Sequence, residues 1–252
     1  MKSPALASCA LIVWSLMSRN DASAQEGTWS VSAVAGIALL QFDQVDEDGR
    51  RDIELFRELH ATPIDNYPVL RMAPLVAGSA QYRFERDMSV SIFGGYQRAQ
   101  SSTSFRDTTY WLSLDRRLTS ATLGSDIIYH FQPFVGGVEL SLFGGLAVLW
   151  GMADQVTRSD SSFKTGPLTE WRPTRDDYAQ YKKSKIVVRV GGTLTVPFTS
   201  TTSLLAGATY QHAPLGSMSG TLREFDRVRP HETAVEFDYS TLQLTLGVLY
   251  SF

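Results

Sequence analysis

Cysteine is almost missing from this 252-residue chain: there is one, Cys9, inside the first apolar stretch. Disulfide staples and thiol chemistry are therefore excluded for everything that follows it. Outside the first two dozen residues there is no run of about 20 apolar residues, so no span of the kind a membrane helix needs. Nor is there an excess of positive charge, with 23 basic residues against 26 acidic and a net charge of -3. Setting aside Lys2, Arg19 and Asp21 leaves 21 against 25, a net of -4, which argues against a nucleic-acid partner.

What the chain has instead is alternation. Residues 242–252 read L-Q-L-T-L-G-V-L-Y-S-F. Leu242, Leu244, Leu246, Val248, Tyr250 and Phe252 share one parity, and only Leu249 breaks the polar run on the other. A period of two makes a strand with one apolar face, and the stretch meets the about 9 to 11 residues that cross a bilayer at a tilt. The averages, 43% hydrophobic and a mean hydropathy of -0.10, match an ordinary soluble protein. A membrane barrel gives the same averages, because half of each strand faces a polar interior and the loops are wet.

Residues 1–24 read as an export leader. Lys2 precedes an apolar core over 5–17, a polar run over 18–21 and the small residues Ala22 and Ala24, the layout of a signal-peptidase substrate. Leu6-Ala7-Ser8-Cys9 imitates a lipidation box, but only residues 1–5 precede it, so Cys9 is expected to leave with the leader. One domain, 25–252, remains.

Seven more alternating segments precede the last. Strands are expected over 29–41, 71–84, 88–100, about 119–131, 138–152, 185–196 and 203–212. Connections alternate between long (42–70, 101–119, 153–184, 213–233) and short (85–87, around Pro133, 197–202), the asymmetry of external loops and periplasmic turns. Pro74 leaves the register of the second strand open. Val235, Phe237 and Tyr239 are out of phase with Leu242 onward, which reads as a bulge or an extension above the membrane.

Charge placement is a stricter test, because Arg or Lys on the lipid face at mid-membrane costs about 2–4 kcal/mol. The apolar runs assigned to the outward face, which end at Tyr96 in the third strand, carry no charge. Arg83, Asp126, His130, Glu139, Arg189 and Gln243 fall on the opposite parity. A narrow interior must pair the charges that it buries, so these six are expected to form a polar network filling the lumen. Aromatic residues gather at strand ends, Trp29, Tyr82, Phe84 and Phe131 at one rim and Tyr96, Trp150 and Tyr210 at the other, as they do at lipid interfaces. An internal repeat links S-V-S-I-F-G-G-Y at 89–96 with E-L-S-L-F-G-G-L at 139–146. No helix follows either copy, so the glycines are not a phosphate loop. They are expected to give room for curvature and for an aromatic ring lying across the strand.

The ending resembles the carboxy-terminal assembly signal of bacterial outer-membrane barrels, with Phe252 last and Val248 and Tyr250 at alternate positions before it. That resemblance implies recognition by the barrel-assembly machinery. The whole architecture resembles the OmpA-type transmembrane domain and OmpX-like proteins. It implies an all-β fold, an eight-stranded up-and-down antiparallel transmembrane β-barrel, set in outer-membrane lipid and lipopolysaccharide with both termini periplasmic. A monomer without cofactor or metal is expected.

Three functions compete: a surface protein presenting its long loops, a small channel, and a lipid-modifying enzyme. Loop aromatics such as Tyr67, Trp171, Tyr178 and Tyr181 suit protein or glycan contacts. Lys182, Lys183 and Lys185, with Arg172 and Arg175 upstream, are placed to meet lipopolysaccharide phosphates. Asp46-Glu47-Asp48-Gly49 supplies only a fragment of a calcium loop. Ile53, Phe56 and Leu59 have helical spacing that suits a cap on the mouth. His212 lies near the outer rim, where lipid A deacylase barrels keep a His, a Ser two residues later and a downstream Glu. Here the second residue after it is Pro214, so the resemblance fails at the nucleophile, and no catalytic residue is expected.

Overall fold

The computed structural model describes residues 27–40, 71–106, 110–165, 168–225, 227–232 and 236–252. The leader, the loop over 42–70 with its acidic cluster and cap, and Tyr67 lie outside them. Twelve strands run through the described residues: β1 (Thr28–Leu40), β2 (Met72–Glu85), β3 (Met88–Arg106), β4 (Tyr110–His130), β5 (Glu139–Thr165), β6 (Leu168–Pro197), β7 (Thr202–His212), β8 (Pro214–Gly216), β9 (Ser219–Glu224), β10 (Arg227–Glu232), β11 (Phe237–Asp238) and β12 (Thr241–Ser251). All pairings are antiparallel. β1 through β6 pair in chain order, β6 pairs with β7, β7 with β12, and β12 with β1.

Eight strands thus form one continuous circuit of pairings, and the apolar parity read from the sequence is their exposed face. Ile92, Leu123, Leu146, Ile186 and Leu246 are 63%, 52%, 57%, 69% and 70% exposed. Rings pack in pairs near the short turns, Trp29 on Tyr82 at 4.9 Å and Tyr129 on Phe131 at 5.1 Å. Pro74 stands on this face opposite Ile37.

Four expectations about connections are corrected. β3 runs to Arg106 rather than 100, and β4 begins at Tyr110 rather than about 119. The segment 153–184, expected as the longest loop, is the upper part of a hairpin of β5 and β6, paired up to Thr165 opposite Leu168. The segment 213–233 is not a simple loop: β9 pairs with β6 over Asp177 to Lys182, β10 pairs with β9, and β8 pairs with β11 in a separate small sheet. The reason is physical. Apolar alternation marks the strands that expose one apolar face, and beyond the aromatic rim the exposed face is polar, so the alternation stops.

Beyond Tyr96 and Trp150 the polarity of the two faces inverts. The outward face now carries Arg98, Arg117, Asp154 and Lys182, while the inward face buries Ala99, Leu118, Ala153, Ala179 and Tyr181. The same inversion puts Phe237 and Tyr239, out of phase with β12, into the interior at 8% and 1% exposure.

Candidate functional site

The chemistry-bearing residues are stacked in layers inside the pairing circuit. Nearest the short turns, Arg83 donates through Nη2 to both oxygens of Glu139, at 2.9 and 3.0 Å. Glu139 Oε1 also lies 2.6 Å from His130 Nδ1. The other ring nitrogen, Nε2, meets Ser89 Oγ at 2.7 Å and the Gln81 amide nitrogen at 3.1 Å. An amide nitrogen can only donate, so Nε2 accepts, and the ring proton sits on Nδ1 pointing at Glu139. Ser141 Oγ, 2.9 Å from Nδ1, completes the cluster.

Ser89, His130 and Glu139 stand in the order of a hydrolase triad, with the hydroxyl on one imidazole nitrogen and the acid on the other. Access is what they lack. Ser89 is 0% exposed, and it lies in the paired register of β3 with both β2 and β4. It does not line the cavity that His130, Glu139 and Ser141 border. The arrangement neutralises buried charge and ties β2, β3, β4 and β5 together.

One layer up, Arg189 Nε lies 3.5 Å from Asp126 Oδ1. Gln243 stands apart from both ion pairs and donates to Thr241 Oγ1 at 3.2 Å. Of the six residues singled out in the sequence, Arg83, Glu139 and His130 form one group, Asp126 and Arg189 a second, and Gln243 neither. Gln81, Ser89 and Ser141 belong to the first group. Of these only Gln81 is legible in the sequence, by its inward parity, because serine on an inward position carries no distinguishing signal.

The end away from the short turns is filled, among the described residues, by a plug that alternation does not announce. Leu215, Met218 and Tyr239, at 2%, 0% and 1% exposure, pack with Leu149 and Val187 of the wall. A methyl group added at Gly151 would fall 2.6 Å from Leu215 Cδ1, so the wall is kept low where the plug enters. Tyr239 donates its hydroxyl to the Met152 carbonyl at 2.9 Å, and burial pushes its phenol pKa up. Lys183 and Lys185 reach inward to the carbonyls of Ser217 and Pro214, at 2.6 and 2.5 Å. This corrects the reading of three surface lysines: only Lys182 faces outward, with Arg98 in the same row above the rim but three strands away, across Met152 and Thr119. Arg117 escapes a reading of the sequence because its segment carries the composition of a loop, whereas Arg98 lies in the expected strand 88–100, above its last apolar outward residue, Tyr96.

His212 lies on the exposed face, stacked on Tyr210 with ring centres 6.5 Å apart. Ser240 Oγ is 3.4 Å from its Nδ1. That hydroxyl is 1% exposed and already accepts the Ala213 N–H at 2.9 Å, so it holds the turn into β12 and is not set up as a nucleophile. Among the described residues no cluster of three or more metal-ligating side chains occurs.

No family model matches the sequence, and no curated protein does. Solved structures do match. A major outer-membrane protein from Thermus thermophilus is similar over 90% of this chain and 100% of its own, with 11% identity and a TM-score of 0.52. Ail, the attachment invasion locus protein of Yersinia pestis, solved with the heparin analogue sucrose octasulfate, covers the same shares at 14% identity and a TM-score of 0.45. The Escherichia coli outer-membrane protease OmpT matches over 90% of this chain and 96% of its own, at 8% identity and 0.31. The chain has the fold of the small bacterial outer-membrane β-barrel proteins, all-β with an antiparallel up-and-down sheet.

Proposed function

We propose that this chain is an outer-membrane anchor that carries a rigid β-wall outward from the cell. β1 to β7 and β12 close as an eight-stranded transmembrane barrel with both termini periplasmic. The leader over 1–24 exports it, and the assembly machinery reads Val248, Tyr250 and Phe252. The observation that carries this reading is the polarity inversion: β3 to β6 continue past the aromatic rim as a sheet whose outer face is polar and charged, widened by β9 and β10.

Arg98 and Lys182 stand one row, about 7 Å, above Tyr96 and Trp150, the depth of the headgroups. They suit the phosphates of lipopolysaccharide. Higher on the same face Arg117, Tyr178 and Arg223 suit an extracellular protein or glycan, the guanidinium of Arg223 lying 6.0 Å over the Tyr178 ring. The filled mouth and the sealed Ser89 favour this reading over a channel or an enzyme, and a monomer suffices for it.

Cutting β5 and β6 back to the paired residues Met152 and Lys182 with a tight turn, and removing β9 and β10, tests the proposal. The shortened protein should insert and keep its heat-modifiable migration while losing binding to sulfated glycans. Unchanged binding would overturn the anchor reading.

A further inference from the structure

The two copies of the Phe-Gly-Gly motif converge on one side chain. In both the phenylalanine faces the interior, and both rings lie against Arg189. Its guanidinium carbon is 3.7 Å from the centre of the Phe93 ring and 5.0 Å from that of Phe143. Each phenylalanine pairs across the ladder with a glycine, Phe93 with Gly124 and Phe143 with Gly191. A methyl group at Gly191 would fall 2.6 Å from the Phe143 ring. The last glycine of the second copy, Gly145, sits in register between Asp126 and Arg189. A methyl group there would run into the Ser125 carbonyl and the Asp126 carboxylate. The bare backbone at 145 is what allows the two charges to meet over β5.

Arg189 is also a border. Toward the short turns lies a cavity of about 200 Å³ that extends to Thr28 and Ser251 at the open end. On the other side is a space of about 20 Å³ beside Gln97 and Gln211. Phe93, Arg189 and Gln243 line both. The larger cavity is rich in hydroxyls, among them Ser30, Ser32, Ser91, Thr193 and Thr209. The Asp126 side chain is 5% exposed, and neither its Oδ1 nor Arg189 Nε has a hydrogen-bond partner within the protein. One donor and one acceptor 3.5 Å apart match a single molecule that accepts from the N–H and donates to the oxygen. Buried polar cavities of this size hold water.

We infer that the repeat is an arginine clamp that ends a blind, water-binding chamber. Solvent enters from the short-turn end, its last exchanging molecule bridges Arg189 and Asp126, and the space beyond Arg189 is cut off from bulk solvent. The inference rests on the closed barrel proposed above.

The test uses single-cysteine variants of the mature protein, since no cysteine occurs beyond Cys9. Ser91→Cys and Gln97→Cys are equally buried, at 4% and 5% exposure, but lie on opposite sides of the clamp. With methanethiosulfonate ethylammonium, the folded protein should be modified at position 91 about tenfold or more faster than at 97, because thiol reactivity follows solvent access. In an Arg189→Ala background, position 97 should rise toward the rate at 91. Loss of the heat-modifiable form throughout would count against the closed barrel itself. With that form intact, equal rates at 91 and 97 in the parent overturn the clamp, and an unreactive 91 overturns the chamber. A 97 still slow without Arg189 overturns that residue as the border.

Discussion

At the scale of single residues, the clearest distinction is between two glycines of the repeat that look alike in sequence. Gly145→Ala forces a methyl group onto a backbone carbonyl and a buried carboxylate, which should cost about 1–3 kcal/mol. Gly95→Ala meets nothing closer than Ala77 Cβ at 3.5 Å and should stay within about 0.5 kcal/mol of the parent. Urea unfolding of the two variants in lipid vesicles reads the difference directly. Glu139→Gln tests the lower cluster. It removes the charge held by the Arg83 fork and the His130 proton, and should cost about 1–3 kcal/mol. The low end of that range is expected, because the side chains of Arg83 and Glu139 keep 32% and 18% exposure.

Elements show why some of this is legible in the sequence and some is not. The eight strands of the pairing circuit announce themselves because their exposed face is apolar at every second residue, so Leu140, Leu142, Leu146 and Val148 mark β5 without any knowledge of its partners. The same strand continues through Asp154 and Arg158 with no mark, since water makes no such demand. The plug is hidden for a related reason: Leu215, Met218 and Tyr239 are too few and too irregularly spaced to form a period. Inward parity locates all six interior residues, but parity says nothing about reach. Only the structure shows that Arg189 spans three strands to Phe93 while Gln243 turns back to its own strand. A prediction at this scale concerns the plug. Leu215→Ala should cost about 2–5 kcal/mol of local stability and Tyr239→Phe about 0.5–1.5 kcal/mol. Both should appear as faster hydrogen exchange at the amides of Ala213 and Tyr239, with heat-modifiable migration unchanged.

For the whole molecule, the proposed membrane setting makes an outward charge a depth gauge. Leu246→Arg, placed mid-face, should cost about 2–4 kcal/mol of folding stability in vesicles. Ser102→Arg lies on the same outward parity but above the rim, and should leave stability unchanged. An equal cost at both positions would mean that the aromatic rim is not the edge of the lipid. Orientation has its own test. An epitope at Phe225 should stain on intact cells, and one at Arg86 only after the outer membrane is permeabilised.

The continuity of β5 and β6 across the rim also has a mechanical side. From Trp150 to the register shift at Ser159 the two strands share one unbroken ladder, about 30 Å of it along the strand. A ladder of that kind has no hinge below the shift. Whatever the outer face touches is therefore held at a fixed height and azimuth above the lipid, and tilting it means tilting the barrel. Force applied to the tip should reach the membrane as a lever does, instead of being lost in a flexible tether.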